Sequence, residues 1–188
     1  MAYFKFSIKK LVATAVGASL FFLLARFLSF PIPVFGGIFL NFYVNLQYAV
    51  VGFFAVVFGP VCGLLVGLTG DFFAYLSFGN GIIWSSVIAS AAVGLLSGFI
   101  FKADKVDESD FDGMDIARFI IMSLIIHIVS WGIIKPVGDV LFYSMPADDV
   151  FIQGLITGAG NFVITAIVGT FIILGYSKTL EKSIEPED

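Results

Sequence analysis

The sequence predicts an all-α membrane protein, a single domain (1–188) built as a bundle of about six transmembrane helices with both termini cytoplasmic. Three observations lead there. Apolar residues make up 59% of the 188 and charged residues only 13%, with a mean hydropathy of +1.03. A soluble domain of this length needs a polar coat, and this chain cannot supply one. The charges crowd at the N-terminus, in one mid-chain segment and at the C-terminus, which leaves long apolar runs nearly free of them. Those runs are continuous rather than short and alternating, which argues against a β-barrel.

The elements follow in order. An apolar run behind Lys9 and Lys10 predicts helix 1 over about 7–29. Its lysine-rich start is superficially like a signal peptide. The run is long, lacks a clean small-residue cleavage site and is followed by further spans, so it reads as a retained helix. Pro31 and Pro33 stop it. The Gly-broken segment Phe35 to Asn41 reads as a lid across the outer mouth. Helix 2 is expected over about 44–58, and Gly59-Pro60 makes a tight turn into helix 3, about 60–77. Phe78-Gly79-Asn80-Gly81 turns the chain into helix 4, about 82–101. Lys102 to Asp115 is a hydrophilic linker outside the bilayer. Helix 5 is expected over about 116–140, longer than a bilayer needs, and helix 6 over about 151–176.

Lys and Arg set the orientation. With an even number of spans, Lys5, Lys9, Lys10, Lys102, Lys105, Arg118, Lys178 and Lys182 fall on the side of the termini, and only Arg26 and Lys135 do not. The termini are therefore expected inside, and the Pro31–Asn41 segment, the Gly79–Gly81 turn and the Tyr143–Asp149 loop outside.

A charge in hydrocarbon costs roughly 2.5–3.5 kcal/mol on insertion scales, so each one inside a span needs a reason. Asp71 lies halfway along helix 3. Helix 5 carries His127, Trp131, Lys135 and Asp139 at intervals of four, and helix 6 carries Gln153, Thr157, Asn161 and Thr165 at the same interval, so each set forms one stripe. Asn80 and Trp84 open helix 4; Asn41, Asn45 and Gln47 precede or open helix 2; Arg26 closes helix 1. Most share a band from mid-membrane to the outer surface. Lipid cannot satisfy polar stripes, so they must face one another or water. The expected arrangement is a pocket open to the outside, lined by Asp71, Lys135, His127, Asn161, Gln153, Asn41 and Asn80, with Tyr75, Trp84 and Trp131 as flat surfaces for a small polar aromatic ligand. A plainer reading stands beside each: an ion pair for Lys135 and Asp139, interhelical hydrogen bonds for Asp71, His127, Gln153 and Asn161, a headgroup anchor for Arg26.

Small residues at intervals of four mark close helix approach: Gly59, Gly63 and Gly67 on helix 3, Ser86, Ser90, Gly94 and Gly98 on helix 4, Gly154 and Gly158 on helix 6. On helix 1, Ala13 with Gly17 and Thr14 with Ala18 form a small face that packs internally or meets a partner.

Several classes drop out. The lone Cys62 excludes a disulfide framework and a multi-thiolate metal site. No basic patch exists for nucleic acid. There is no Walker A motif for ATP hydrolysis, no HExxH and no GxSxG, so neither an enzyme, a cofactor nor a resident metal is expected. No inverted repeat of the secondary-transporter kind is legible.

Local runs add a resemblance. Ala25-Arg26-Phe27 before the Pro-rich segment, Val57-Phe58-Gly59-Pro60-Val61-Cys62-Gly63, Gly67-Leu68-Thr69-Gly70-Asp71 and Trp84-Ser85, with the size and span count, resemble the substrate-binding S components of energy-coupling factor (ECF) vitamin transporters over nearly the whole length. They look most like the subgroup of uncharacterised and riboflavin-type S components that includes proposed hydroxymethylpyrimidine and pyridoxine carriers. The resemblance implies a bacterial plasma-membrane subunit that binds a vitamin-type heterocycle and docks on a T transmembrane subunit with two ATPases. Family members dock through an AxxxA motif on helix 1. That motif is missing here, with Ala13/Gly17 or Thr14/Ala18 in its place. A scaffold subunit without a ligand remains the alternative of a different class.

Overall fold

The computed structural model describes residues 7–32, 42–79, 81–101 and 111–184. Among these the chain forms six helical units and one short strand pair. Helix α1 is Ile8–Phe27. Ser7 caps it by accepting from the Lys10 amide at 3.3 Å. After α1 comes a feature absent from the sequence-based reading: strand β1, Phe30–Ile32, pairs antiparallel with β2, Phe42–Val44, Phe30 opposite Val44. Aromatic and β-branched residues suit strands, and a two-stranded ribbon is all edge, where Pro31 is tolerated. The expected lid over Phe35–Asn41 lies outside the described residues.

Helix α2, Gln47–Phe58, is short and almost wholly buried. Twelve residues span about 18 Å, well short of a ~30 Å hydrocarbon core. A helix apolar on every side belongs in the middle of a bundle. Here α2 is wrapped by α1 and by the helices Pro60–Phe78 and Trp84–Ser97, with the last helical stretch, from Ala147 on, on its remaining side. Gly59, with φ +95°, reverses the chain, and Pro60 opens α3, Pro60–Phe78. Helix α4 runs Trp84–Ser97 and ends four residues earlier than the hydropathy predicts, the chain continuing through turns at Gly98–Phe101.

The small-residue faces of α3 and α4 meet. A Cβ on Gly63 would lie 2.9 Å from the Gly94 carbonyl carbon, and one on Gly67 would lie 2.7 Å from that of Ser90. Backbone touches backbone along this seam. Where α1 crosses α3 the glycines instead make room for side chains: a Cβ on Gly17 would meet Val66 of α3 and Phe54 of α2, and one on Gly70 would meet Phe21 of α1.

Helix α5 comprises Gly113–Val129, a π turn at Ser130–Ile134 and Lys135–Tyr143. It starts three residues before the predicted position. Asp112 accepts from the Met114 and Asp115 amides at 2.8 Å each, and Asp115 accepts from the Asp112 amide, forming a reciprocal cap inside a stretch that composition assigns to the linker. The π turn sits just ahead of Pro136, which has no N–H to return to the preceding turn. Helix α6 comprises Ala147–Ile164, a second π turn at Thr165–Gly169 and Thr170–Ile184.

The distribution of polarity is inverted relative to a soluble bundle. Leu11, Val12, Val16 and Leu23 of α1, Ile121, Ile125 and Ile128 of α5 and Ile167 and Phe171 of α6 are exposed, while Asp71, Asp139, His127, Asn161, Ser90 and Thr165 are buried. Lipid tolerates the first set and not the second. Helices α1, α3, α5 (Gly113–Tyr143) and α6 (Ala147–Leu180) are long and apolar enough to cross a bilayer; α2 and α4 are apolar but shorter. The six spans of the sequence-based expectation therefore become four long helices and two short ones. The short ones take their apolar surroundings largely from the bundle.

Candidate ligand-binding site

A cavity of about 640 Å³ opens at one end of the bundle. That end gathers the C-terminal ends of α1 and α3, the segment of α5 around its π turn, and the N-terminal ends of α2, α4 and α6. The volume lies within the ~300–1,000 Å³ range of small-molecule pockets.

Helix α3 brings Asp71, Ala74, Tyr75 and Phe78 to the wall. Asp71 is 7% exposed and accepts from Ser90 Oγ at 2.8 Å. With the Ser90 proton committed to that bond, Tyr48 Oη donates to Ser90 Oγ at 3.0 Å, giving a relay from α2 through α4 to the carboxylate. Tyr48 itself faces the cavity, and its ring meets those of Trp131 at 5.3 Å, Phe21 at 5.7 Å and His127 at 5.8 Å, each edge to face.

Helix α5 contributes Trp131 and Lys135. Lys135 Nζ lies 2.5 Å from Asp139 Oδ2, and the same carboxylate accepts from Ser85 Oγ of α4. Asp139 is thus a buried support that points the ammonium at the cavity rather than part of its wall. Asn45 donates to Asn161 Oδ1 at 2.8 Å and accepts from Gln47 Nε2 at 3.2 Å, and both Asn45 and Gln47 reach the wall. Gln153 and Thr157 line it from α6. Arg26 closes the rim, its guanidinium 5.0 Å from the centre of the Phe78 ring.

Of the residues expected to line the pocket, the cavity brings together Asp71, Tyr75, Trp131, Lys135 and Gln153. Asn161 is fully buried behind Asn45. His127 is also behind the wall, its Nε2 3.0 Å from Thr165 Oγ1. Within the four-residue stripe His127 and Trp131 both pack on Tyr48, but His127 lies one turn deeper, behind the wall, while Trp131 and Lys135, in and after the π turn at Ser130–Ile134, reach the cavity. Trp84 is half exposed, gives its backbone N–H to Tyr143 Oη at 2.8 Å and sets its ring beside Phe72, away from the wall. Asn41 and Asn80 lie outside the described residues. Sequence reasoning passed over Tyr48 and read Ser86 only as part of a helix-packing face, yet both line the cavity. The available signal for Tyr48 was a lone hydroxyl in an apolar helix directly after Gln47.

The predicted docking residues divide as well. Ala13 and Gly17 are buried inside the bundle. Thr14 and Ala18 border an apolar groove between α1 and α3 with Leu11, Ala15, Phe22 and Phe73, although Thr14 is itself mostly covered and its hydroxyl bonds Lys10 O at 2.8 Å and lies 3.2 Å from Cys62 Sγ. No cluster of three or more metal-ligating side chains occurs among the described residues.

These features define a helical membrane protein with a polar cavity at one end. A sequence model of the family described as "ECF-type riboflavin transporter, S component" matches residues 5–178, and the chain belongs to that family. It is 39% identical over 175 residues, 93% of each chain, to the UPF0397 proteins of Streptococcus pneumoniae serotype 19F (strain G54), strain 70585 and serotype 4 (strain TIGR4). No solved structure matches it. An S component is a transporter subunit and not itself an enzyme, and membership implies association with ECF T and ATPase subunits.

Proposed function

We propose that the protein is the substrate-capturing subunit of an ECF-type importer, taking up a small B-vitamin-like heterocycle of the hydroxymethylpyrimidine or pyridoxine type from outside the cell for uptake driven by two partner ATPases. The observation that carries this reading is the cavity itself: aromatic faces from Tyr48, Tyr75 and Trp131, with a carboxylate, an ammonium and three amides around them. Flat rings give stacking surface, and the polar groups fix the orientation of a heterocycle between them. Riboflavin is the second reading. It is favoured by a volume of about 640 Å³, generous for one six-membered ring, and by the description of the family.

The lysine and arginine count supports cytoplasmic termini in a bacterial plasma membrane, which turns the cavity outward. The α1/α3 groove is our candidate for the T-subunit contact, with Thr14 and Ala18 at its edge and Ala13 and Gly17 supporting it from within. Co-expression with its T subunit and ATPases is expected to yield a stable complex. Ala18→Leu, which fills the groove, is expected to lower recovery of that complex at least several-fold while vitamin binding by the isolated subunit stays intact. Unchanged recovery removes the groove as the contact, and loss of binding alone contradicts the separation of the two sites.

A further inference from the structure

Most buried polar atoms in native proteins have a partner, and one left without a partner is costly to keep. Among the described residues six side-chain atoms are buried and unpartnered. Two of them, Gln47 Oε1 and Trp131 Nε1, belong to residues that line the cavity and are only 5% exposed. Gln47 is the chain neighbour of Tyr48 on α2, and the Trp131 ring packs 5.3 Å from that of Tyr48.

Neither atom is free to turn away. Gln47 Nε2 is tied to Asn45 Oδ1, and Asn45 Nδ2 to Asn161 Oδ1, so the relay leaves the Gln47 carbonyl oxygen as the unmatched end. The Trp131 indole is clasped between Tyr48 and α6, where a Cβ on Gly158 would lie 3.3 Å from Trp131 Cβ. The wall thus carries one fixed acceptor and one fixed donor, both dry and both unmatched. Asp71 and Lys135, by contrast, already have partners in Ser90 and Asp139.

We infer that Gln47 and Trp131 are the specificity-determining pair of this site: Gln47 Oε1 accepts a hydrogen bond from an N–H on the ligand's ring edge, and Trp131 Nε1 donates one to a ring nitrogen or carbonyl. The inference rests on the vitamin-capture reading above and deepens it. The ligand class it selects is a heterocycle whose edge offers both an N–H donor and an acceptor, such as the imide edge of a flavin or the amino edge of an aminopyrimidine. A heterocycle whose edge lacks either group is selected against. A site that merely excludes water by shape does not make that distinction.

The test uses purified protein and two matched probe pairs: riboflavin against 3-methylriboflavin, and 4-amino-5-hydroxymethyl-2-methylpyrimidine against its 4-dimethylamino analogue. Methylation removes the N–H and keeps the ring. For whichever parent binds, the methylated analogue is expected to bind about tenfold or more weakly, the size of one hydrogen bond whose buried partner is stranded. Gln47→Leu is expected to weaken the parent by a similar factor and to erase the preference over the methylated analogue. Trp131→Phe is expected to weaken parent and analogue alike, since it removes the other bond. Thermal stability of ligand-free Gln47→Leu separates this from a structural role. Deleting an unmatched carbonyl offsets the lost bond to Asn45, so the variant is expected to melt close to the parent protein. Equal binding of parent and methylated probe, or a preference that survives Gln47→Leu, overturns the inference and leaves vitamin capture standing. Failure of both parents and pyridoxine to bind overturns the vitamin-capture reading itself.

Discussion

Replacing Lys135 with Met is expected to destabilise the protein by about 3–5 kcal/mol, because it strands a buried carboxylate. The Asp139 side chain is only 2% exposed; its two partners are the Lys135 ammonium at 2.5 Å and the Ser85 hydroxyl. The reverse change is expected to cost less. Asp139→Leu leaves an ammonium that is 20% exposed and lines the cavity, where water can solvate it. The double variant Lys135→Met/Asp139→Leu removes both charges together and is expected to recover most of the loss, since well-packed apolar replacements of an ion pair are often neutral. Denaturant unfolding in detergent micelles checks the ordering. Equal small effects from both single variants rule out a buried pair that depends on its geometry. The recovered double variant is expected to fold yet bind its ligand poorly, which separates the scaffolding role of Asp139 from the cavity role of Lys135.

The second large effect is at the seam between α3 and α4. Gly63→Val is expected to prevent folding or to cost about 3 kcal/mol or more, at the upper end of overpacking penalties. Its new Cβ meets the Gly94 backbone on one side and the Ala55 side chain on the other, and backbone cannot swing aside as a long side chain does. The control is Gly175→Ala on α6, where nothing lies within 4 Å of the new Cβ; there the ordinary helix preference for Ala over Gly applies, a gain of about 1 kcal/mol or slightly less. Expression level and melting temperature of the two variants should move in opposite directions. The seam matters to the cavity because Ser90, on the same face of α4 as Gly94, carries the bond that holds Asp71. Forcing α3 and α4 apart is therefore expected to disturb the carboxylate as well as the fold.

The helices were legible because lipid exposure demands long apolar runs, and Gly59-Pro60 and the glycine spacing state their turns and contacts directly. The start of α5 was not read because Asp112 and Asp115 sit in an acidic stretch whose composition says linker; only the D-x-x-D spacing reveals the cap. The strand pair beside Pro31 was hidden because three-residue strands carry almost no periodicity. Candidate-site residues were harder. A stripe at intervals of four shows which side chains share a face, not how that face is rotated in the bundle. Nor does it show how deep the cavity reaches along the stripe: His127, one turn below Trp131, bonds Thr165 behind the wall, while Trp131 and Lys135 reach the cavity. Trp84 went astray for a related reason: it begins its helix, where facing depends on the approach of the preceding turn rather than on helical phase. Tyr48 was passed over because an aromatic residue in an apolar helix reads as core, and it is indeed 2% exposed, yet it also forms part of the cavity wall.

The most direct test of the central claim follows Trp131 itself. Trp84 is the only other tryptophan and stands outside the cavity wall, so Trp84→Phe leaves a single reporter inside it. Titration of that variant, purified in detergent, with hydroxymethylpyrimidine, pyridoxine and riboflavin in turn is expected to give a saturable, one-to-one change in Trp131 emission with at least one of the three. A linear, unsaturable response to all three would contradict the account that this cavity captures a vitamin-type heterocycle.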